Sequence, residues 1–191
     1  MIVDLLEKNR TYRRFDKAKL VTGKALESIV GSVRYTASAG NLQRIRYITI
    51  GHERAAEVFS HIALGGYLPK EKKPDASVAP TSYIVMLTET DTPDVNLSID
   101  IGISAEAITL TARELGIGSC MIRNFDKKYF SKFAEGTGYL PILVIALGYP
   151  AEEARITGAE AQSALKYYKD ENDINVVPKL GIETLIIKNF E

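Results

Sequence analysis

Residues 98–115 read SIDIGISAEAITLTAREL, and this stretch decides the kind of fold. Ile101, Ala105, Ile108, Ala112 and Leu115 fall on one helical stripe, and Ile103, Ala107 and Leu110 on a second. At 3.6 residues per turn this spacing predicts a helix. Two apolar stripes predict one covered on several sides, in a core or a subunit interface. Gly116 stands where a helix-ending residue is expected.

Outward from that helix the pattern changes period. Residues 119–122 and 142–147 are short continuous apolar runs and read as buried strands, with a helix over 126–135 between them. Gly148-Tyr149-Pro150 closes the compact part. Upstream, 82–87 and 47–50 read as strands and 53–64 as a helix. A further helix is expected over 23–35, where Leu26, Ile29, Val30 and Val33 recur at helical spacing, and a short amphipathic one at the N-terminus. Ser38-Ala39-Gly40-Asn41 interrupts as a loop. Residues 65–81, with two adjacent glycines and Lys70-Glu71-Lys72-Lys73, read as a surface loop long enough to be a functional lid. From Ala151 the chain is charged and reads as irregular until Val176. Residues 176–191 then form a terminal arm whose apolar piece, 182–187, is a strand or short helix docking at a distance. The expectation is a single α+β domain over 1–191.

The balance of 24 basic and 24 acidic residues in 191 gives no field to draw the chain to nucleic acid or an acidic membrane. The basic cluster near the N-terminus lacks the aromatic interleaving of a nucleic-acid surface. One cysteine, Cys120, and two histidines, His52 and His61, leave little for a metal cluster, a disulfide or histidine-assisted nucleophilic catalysis. The opening MIVDLLEKNR is too acidic and too briefly apolar for a secretory signal, and no run reaches the ~18–20 residues of a membrane helix. A cytoplasmic protein is expected. Nucleotide-binding glycine loops and a Gly-x-Ser-x-Gly elbow are absent, so any chemistry is expected to belong to a bound cofactor.

Two polar groups stand out. Arg10, Arg13 and Arg14, with Thr11, could grip a phosphate or the polar edge of a ring through charge-assisted hydrogen bonds, or could simply be a solvated basic face. Ser38, Asn41 and Gln43 could hydrogen-bond a ligand or merely shape a turn.

In order along the chain, these pieces resemble the nitroreductase family. Asn9-Arg10-Thr11-Tyr12-Arg13-Arg14-Phe15 is similar to its opening Arg-Arg-Ser-x-Arg-x-Phe, and Ser38-Ala39-Gly40-Asn41-Leu42-Gln43 to its second block, Ser-Ala-x-Asn-x-Gln. The third is matched by Asp100-Ile101-Gly102 through Leu115-Gly116-Ile117-Gly118-Ser119-Cys120. Ala146-Leu147-Gly148-Tyr149-Pro150 resembles the fourth, and Val177-Pro178-Lys179 the terminal phosphate-contacting segment.

The resemblance implies a three-layer sandwich, with a central, mostly antiparallel mixed sheet flanked by helices. It also implies an intertwined homodimer holding FMN at the subunit interface. It places Arg10, Thr11 and Arg13 at the flavin's ribityl-phosphate and pyrimidine side, and Lys179 at the phosphate. Ser38, Ala39, Asn41 and Gln43 would come from the partner subunit. Ile122, Arg123 and Asn124 would run beside the ring with a backbone N–H at the flavin N5. The implied activity is ping-pong transfer of hydride from NADH or NADPH, through FMN, to a small electrophilic acceptor such as a nitroaromatic or quinone. Arg13 is the candidate to stabilise the reduced ring, Tyr67 and Leu68 to stack on an acceptor, and Glu106 reads as structural. No residue is singled out as a catalytic acid. A non-catalytic FMN-binding protein, storing or sensing the flavin, is the alternative.

Three departures from the family pattern stand out: Asn9 for the first arginine, Arg44 after Gln43 where a proline is usual, and Leu180-Gly181 where another basic residue is common. Arg14 and Lys169 are candidates to restore the missing charge.

Overall fold

The computed structural model describes residues 1–66 and 68–190. Its centre is a four-stranded antiparallel sheet in the order β1-β2-β4-β3, made of β1 (Arg46–Ile50), β2 (Ser82–Thr88), β3 (Gly118–Ile122) and β4 (Leu140–Gly148). Every residue of β2 is buried. Strand periodicity sends alternate side chains to opposite faces. Ile84 and Met86 of β2 join Ile145 and Leu147 of β4 in one core, while Tyr83, Val85, Val144 and Ala146 enter the other. The apolar runs are continuous because both faces are covered.

Helices α2 (Gly23–Ser32) and α4 (Val95–Glu114) cover the first face through Ile29, Leu97 and Ile108. Helices α3 (His52–Phe59) and α5 (Lys127–Ser131) cover the second through Val58 and Phe130. This is the expected three-layer α+β arrangement. At the β3 edge a parallel bridge, Thr11–Ser119, adds the N-terminal segment to the sheet.

Element ends differ from the sequence expectations for local reasons. Helix α4 starts at Val95, not Ser98, because the Asp94 carboxylate accepts the Leu97 N–H at 2.8 Å and caps it. It stops at Gly116, whose φ of +76° suits a residue without Cβ. Helix α3 ends at Phe59 rather than running to 64, because Ile62 leaves it to bridge Phe125 and the His61 carbonyl accepts the Asp126 N–H. Residues 132–134 finish α5 as a single 3₁₀ turn.

The largest correction concerns the chain after Pro150. It is not irregular. β5 (Ala154–Ala159), β6 (Tyr168–Lys169) and β7 (Asn175–Leu180) form a second sheet in the order β5-β7-β6, with β5 and β7 parallel. The first residues of the expected arm are thus a strand paired within their own chain. Only the end, with helix α6 (Ile182–Leu185), stands off, exposing Ile182, Leu185, Ile187 and Phe190. The apolar side of the short first helix, α1 (Ile2–Lys8), is likewise uncovered at Ile2, Val3 and Leu6.

Candidate functional site

The arginine-rich opening is held along the β3 edge by aromatic anchors. Tyr12 and Phe15 are buried, and the residues between them are left for other work. Gly118 and Gly148 make the room. A Cβ on Gly118 would stand 2.8 Å from the Tyr12 ring, and one on Gly148 2.8 Å from the Phe15 ring. The Tyr12 N–H donates to the Ser119 carbonyl at 2.9 Å, and Phe15 and Asp16 N–H groups donate to Val78 and Tyr149.

A buried carboxylate completes the attachment. Glu152, just past the main sheet, accepts the backbone N–H groups of both Arg13 and Arg14 through one oxygen. Its other oxygen accepts from Asn175 Nδ2 at 2.6 Å and faces Lys169 Nζ at 3.3 Å. Both Glu152 and Lys169 are almost fully buried, at 3% and 1% exposure. The second sheet therefore fixes the backbone that carries Arg13.

Arg10, Thr11, Arg13 and Lys179 come together around one cavity of about 420 Å³, between the N-terminal segment, α4, β3 and β7. One Arg10 nitrogen donates to the Leu6 carbonyl at 2.6 Å, while its buried Nε has no partner among the described residues. The Arg13 guanidinium lies 4.3 Å over the Tyr167 ring, itself part of the cavity wall. One carboxylate, Glu106 of α4, faces the same space. Asn9 also lines the cavity, but its amide is engaged with α4. Its amide donates to Thr109 at 2.9 Å and Glu106 at 3.4 Å, fastening the end of α1 to α4. Cys120 also lines the cavity, but burial pushes its thiol up to about 11, so it is no thiolate nucleophile at neutral pH.

The two suggested replacement cations are committed elsewhere. Arg14 pairs with Asp173 at 2.9 Å and donates to the Lys72 carbonyl, and Lys169 pairs with Glu152 and Asp173. Neither lines the cavity.

Ser38, Ala39, Asn41 and Gln43 lie apart from it. The Ala39 N–H donates to the buried Asp100 carboxylate at 3.0 Å, and Gln43 Nε2 donates to Asn41 Oδ1 at 3.1 Å. Gly40, Asn41 and Gln43 all hold left-handed backbone, with φ of +56°, +54° and +47°. Asparagine tolerates this region; for glutamine it costs roughly 1–2 kcal/mol. Ser38 and Gln43 face a different cavity, also about 420 Å³, with Asp100, Ser104 and Tyr47. One chain does not bring the two groups together.

The third group is positioned by the core. The Ile122 side chain is buried, so only its backbone is available to a ligand. Arg123 and Asn124 are exposed, and the Asn124 carbonyl accepts the Ala63 N–H at 3.0 Å. None of the three lines the arginine cavity, although Cys120 and Met121 just before them do. Of the two lid residues, Leu68 is buried and Tyr67 lies outside the described residues.

Glu152 and Tyr167 were not legible as site-shaping residues. Each is an isolated polar or aromatic residue in charged sequence, and only the pairing of the second sheet brings them to the arginines. Among the described residues no group of three His, Cys, Asp or Glu side chains could hold a metal, and no helix is long and apolar enough to cross a membrane.

The model of the nitroreductase family matches residues 6–149. The fold is that of a nitroreductase family protein from Streptococcus pneumoniae TIGR4, at TM-score 0.69 and 19% identity, covering 99% of this chain and 100% of that one. An FMN-dependent nitroreductase from Clostridium difficile R20291 superposes at TM-score 0.63 with 23% identity, over 86% of this chain and 94% of that one. A nitroreductase-like protein from Streptococcus mutans gives 0.63 at 15% identity, over 79% and 89%. No curated protein sequence matches the chain.

Proposed function

This chain belongs to the nitroreductase family, and from that premise we propose that it is an FMN-dependent cytoplasmic oxidoreductase that takes electrons from NADH or NADPH. The acceptor is a small electrophile, such as a nitroaromatic or a quinone. The observation that carries this reading is the cavity shared by Arg10, Thr11, Arg13 and Lys179, with a buried Arg10 Nε left without a partner. An orphaned buried donor costs about 1–3 kcal/mol, which an anionic ligand would recover.

The donor set fits a phosphate-bearing planar ring. Lys179 and Arg10 would hold the phosphate as charge-assisted donors, each such bond being worth about 1.5–3 kcal/mol. Thr11 and Arg13 would meet the ring's polar edge, where Arg13 supplies positive charge beside developing negative charge. The backbone of Ile122, Arg123 and Asn124 would run along the ring. FMN bound there would accept hydride from the nicotinamide and pass the electron pair to the acceptor. No side chain need act as nucleophile.

The remaining polar residues are assigned to a second copy. Ser38, Ala39, Asn41 and Gln43 would complete the site from a homodimeric partner, since within one chain their loop faces another cavity. An apolar row on α4 beside that loop supports such a partner: Val95, Ile99 and Ile103, at helical spacing of four, are 75%, 55% and 36% exposed. The whole chain then acts as one domain, with residues 65–81 as its lid.

The test is an absorbance spectrum of the purified protein, followed by anaerobic addition of NADPH or NADH. Flavin absorbance that appears and then bleaches is the expected result. A colourless protein that stays so after incubation with FMN would sink the cofactor assignment. The storage or sensing alternative is favoured by two observations, the use of Asn9 to fasten a helix and the carboxylate of Glu106 inside the cavity. Bound flavin that neither nicotinamide bleaches would select it.

A further inference from the structure

A second, cationic cavity lies behind the Tyr167 wall. It measures about 310 Å³, and its lining includes Lys72, Lys166 and Lys169 with Tyr167 and Tyr168, with no acidic residue among the described residues that line it. We propose that this cavity binds the phosphate groups of the nicotinamide dinucleotide, an inference that rests on the oxidoreductase reading above.

Position comes first. Tyr167 belongs to both cavities, so a ligand reaching from one into the other passes this ring, which the Arg13 guanidinium holds from the cofactor side. A dinucleotide has that shape: a nicotinamide at one end, a diphosphate in the middle and, in the phosphorylated form, a further phosphate beyond. The small acceptors proposed above carry no such extension.

Charge comes second. Lys169 and Arg14 are matched by Glu152 and Asp173, two cations facing two carboxylates. Among the described residues no carboxylate lies within ion-pair distance of Lys72 Nζ. Asp173 acts on Lys72 as well as on Lys169 and Arg14, so two carboxylates face three cations, and ammonium groups are point-charge donors suited to phosphate oxygens. Lys72 sits within the lid segment, as the last residue of the short turn Lys70–Lys72, while Lys166 and Lys169 flank the tyrosines at the second sheet. A phosphate bound between Lys72 and Lys166 would tie the lid to that sheet.

The experiment compares the flavin-loaded wild type with the Lys72→Ala, Lys166→Ala double variant by anaerobic stopped-flow. Three donors are used: NADPH, NADH and 1-benzyl-1,4-dihydronicotinamide, which carries no phosphate. The variant should lose about tenfold per lysine in its second-order rate of reduction by the dinucleotides. Reduction by the phosphate-free donor, flavin content and Tm should stay at wild-type values. Loss confined to NADPH assigns the cavity to the additional phosphate, and equal loss with NADH assigns it to the diphosphate. Wild-type rates with all donors, or an equal loss with the phosphate-free donor, would overturn the inference while leaving the oxidoreductase reading intact. A wild type that dithionite bleaches but no nicotinamide does would overturn both.

Discussion

The two sheets of this protein are held together by opposite means. β2 and β4 of the main sheet are mostly apolar, carry no carboxylate and are enclosed between helices on both faces. The second sheet is thin and largely exposed, and it is pinned to the first by a buried polar knot of Glu152, Lys169 and Asn175. Hydrophobic burial makes the first sheet tolerant of its surroundings. The buried ion pair makes the second sensitive to single changes, because removing Glu152 leaves the buried Lys169 with only the half-exposed Asp173 as a partner. The candidate site sits between them, with Arg13 fastened to the main sheet by Tyr12 and to the second by Glu152.

The contrast can be broken at four points, from the largest expected effect downward. Phe130→Ala removes a fully buried ring from the α5 side of the main sheet and should cost about 3–5 kcal/mol in urea unfolding, lowering the stability of the whole molecule. Glu152→Ala strips Lys169 of its nearest buried partner and frees the Arg13 and Arg14 backbone. It should cost about 3 kcal/mol locally. Hydrogen exchange should then show β5–β7 opening while β2 and β4 stay protected, with FMN affinity falling in parallel. Uniform loss of protection would mean the sheets are not separable.

Gly148→Ala is a subtler probe. Its Cβ would meet the Phe15 side chain, so either the ring or the strand must shift, at about 1–3 kcal/mol. Flavin content should drop more than Tm, since Phe15 anchors the segment bearing Arg10 and Arg13.

The smallest effect is acidic. Asp170 accepts the Ile174 and Asn172 N–H groups and pairs with Arg155, which holds its carboxyl below its usual 3.8; Lys169 and Arg14 do the same for Asp173. A lowered folded-state value stabilises above the unfolded value and is lost as pH falls through the folded one. The second sheet should therefore loosen only below about pH 3.8, with β2 and β4 unaffected over the same range. Asp170→Asn should flatten that dependence; an unchanged acid profile would contradict the assignment.

Much of the first sheet was readable because hydrophobic alternation and helical stripes are direct consequences of burial. The run 98–115 announced α4, and the pieces at 47–50, 82–87, 119–122 and 142–147 announced all four strands. The second sheet was not readable for the same physical reason. β5 reads ARITGA, with only Ile156 strongly apolar and that exposed, because nothing covers either face deeply. At the candidate site, Arg10, Thr11, Arg13 and Lys179 were singled out in sequence as candidates, and they line one cavity. Arg14 and Lys169 were misassigned because charge alone does not reveal a partner: each meets Asp173, which a five-residue turn of the second sheet places there.

The most direct test of the central proposal is flavin stoichiometry in a mixed dimer. Chains bearing Arg13→Ala and chains bearing Asn41→Ala are each prepared with a different tag, then co-expressed and the heterodimer isolated. If the two groups meet across a subunit interface, one of its two sites is wild type and the other carries both changes. The heterodimer should then hold half the flavin of the wild-type dimer, while each homodimer holds little. If both groups serve the same site from one chain, every site in the heterodimer carries one change. Flavin content no higher than in the homodimers would contradict the account.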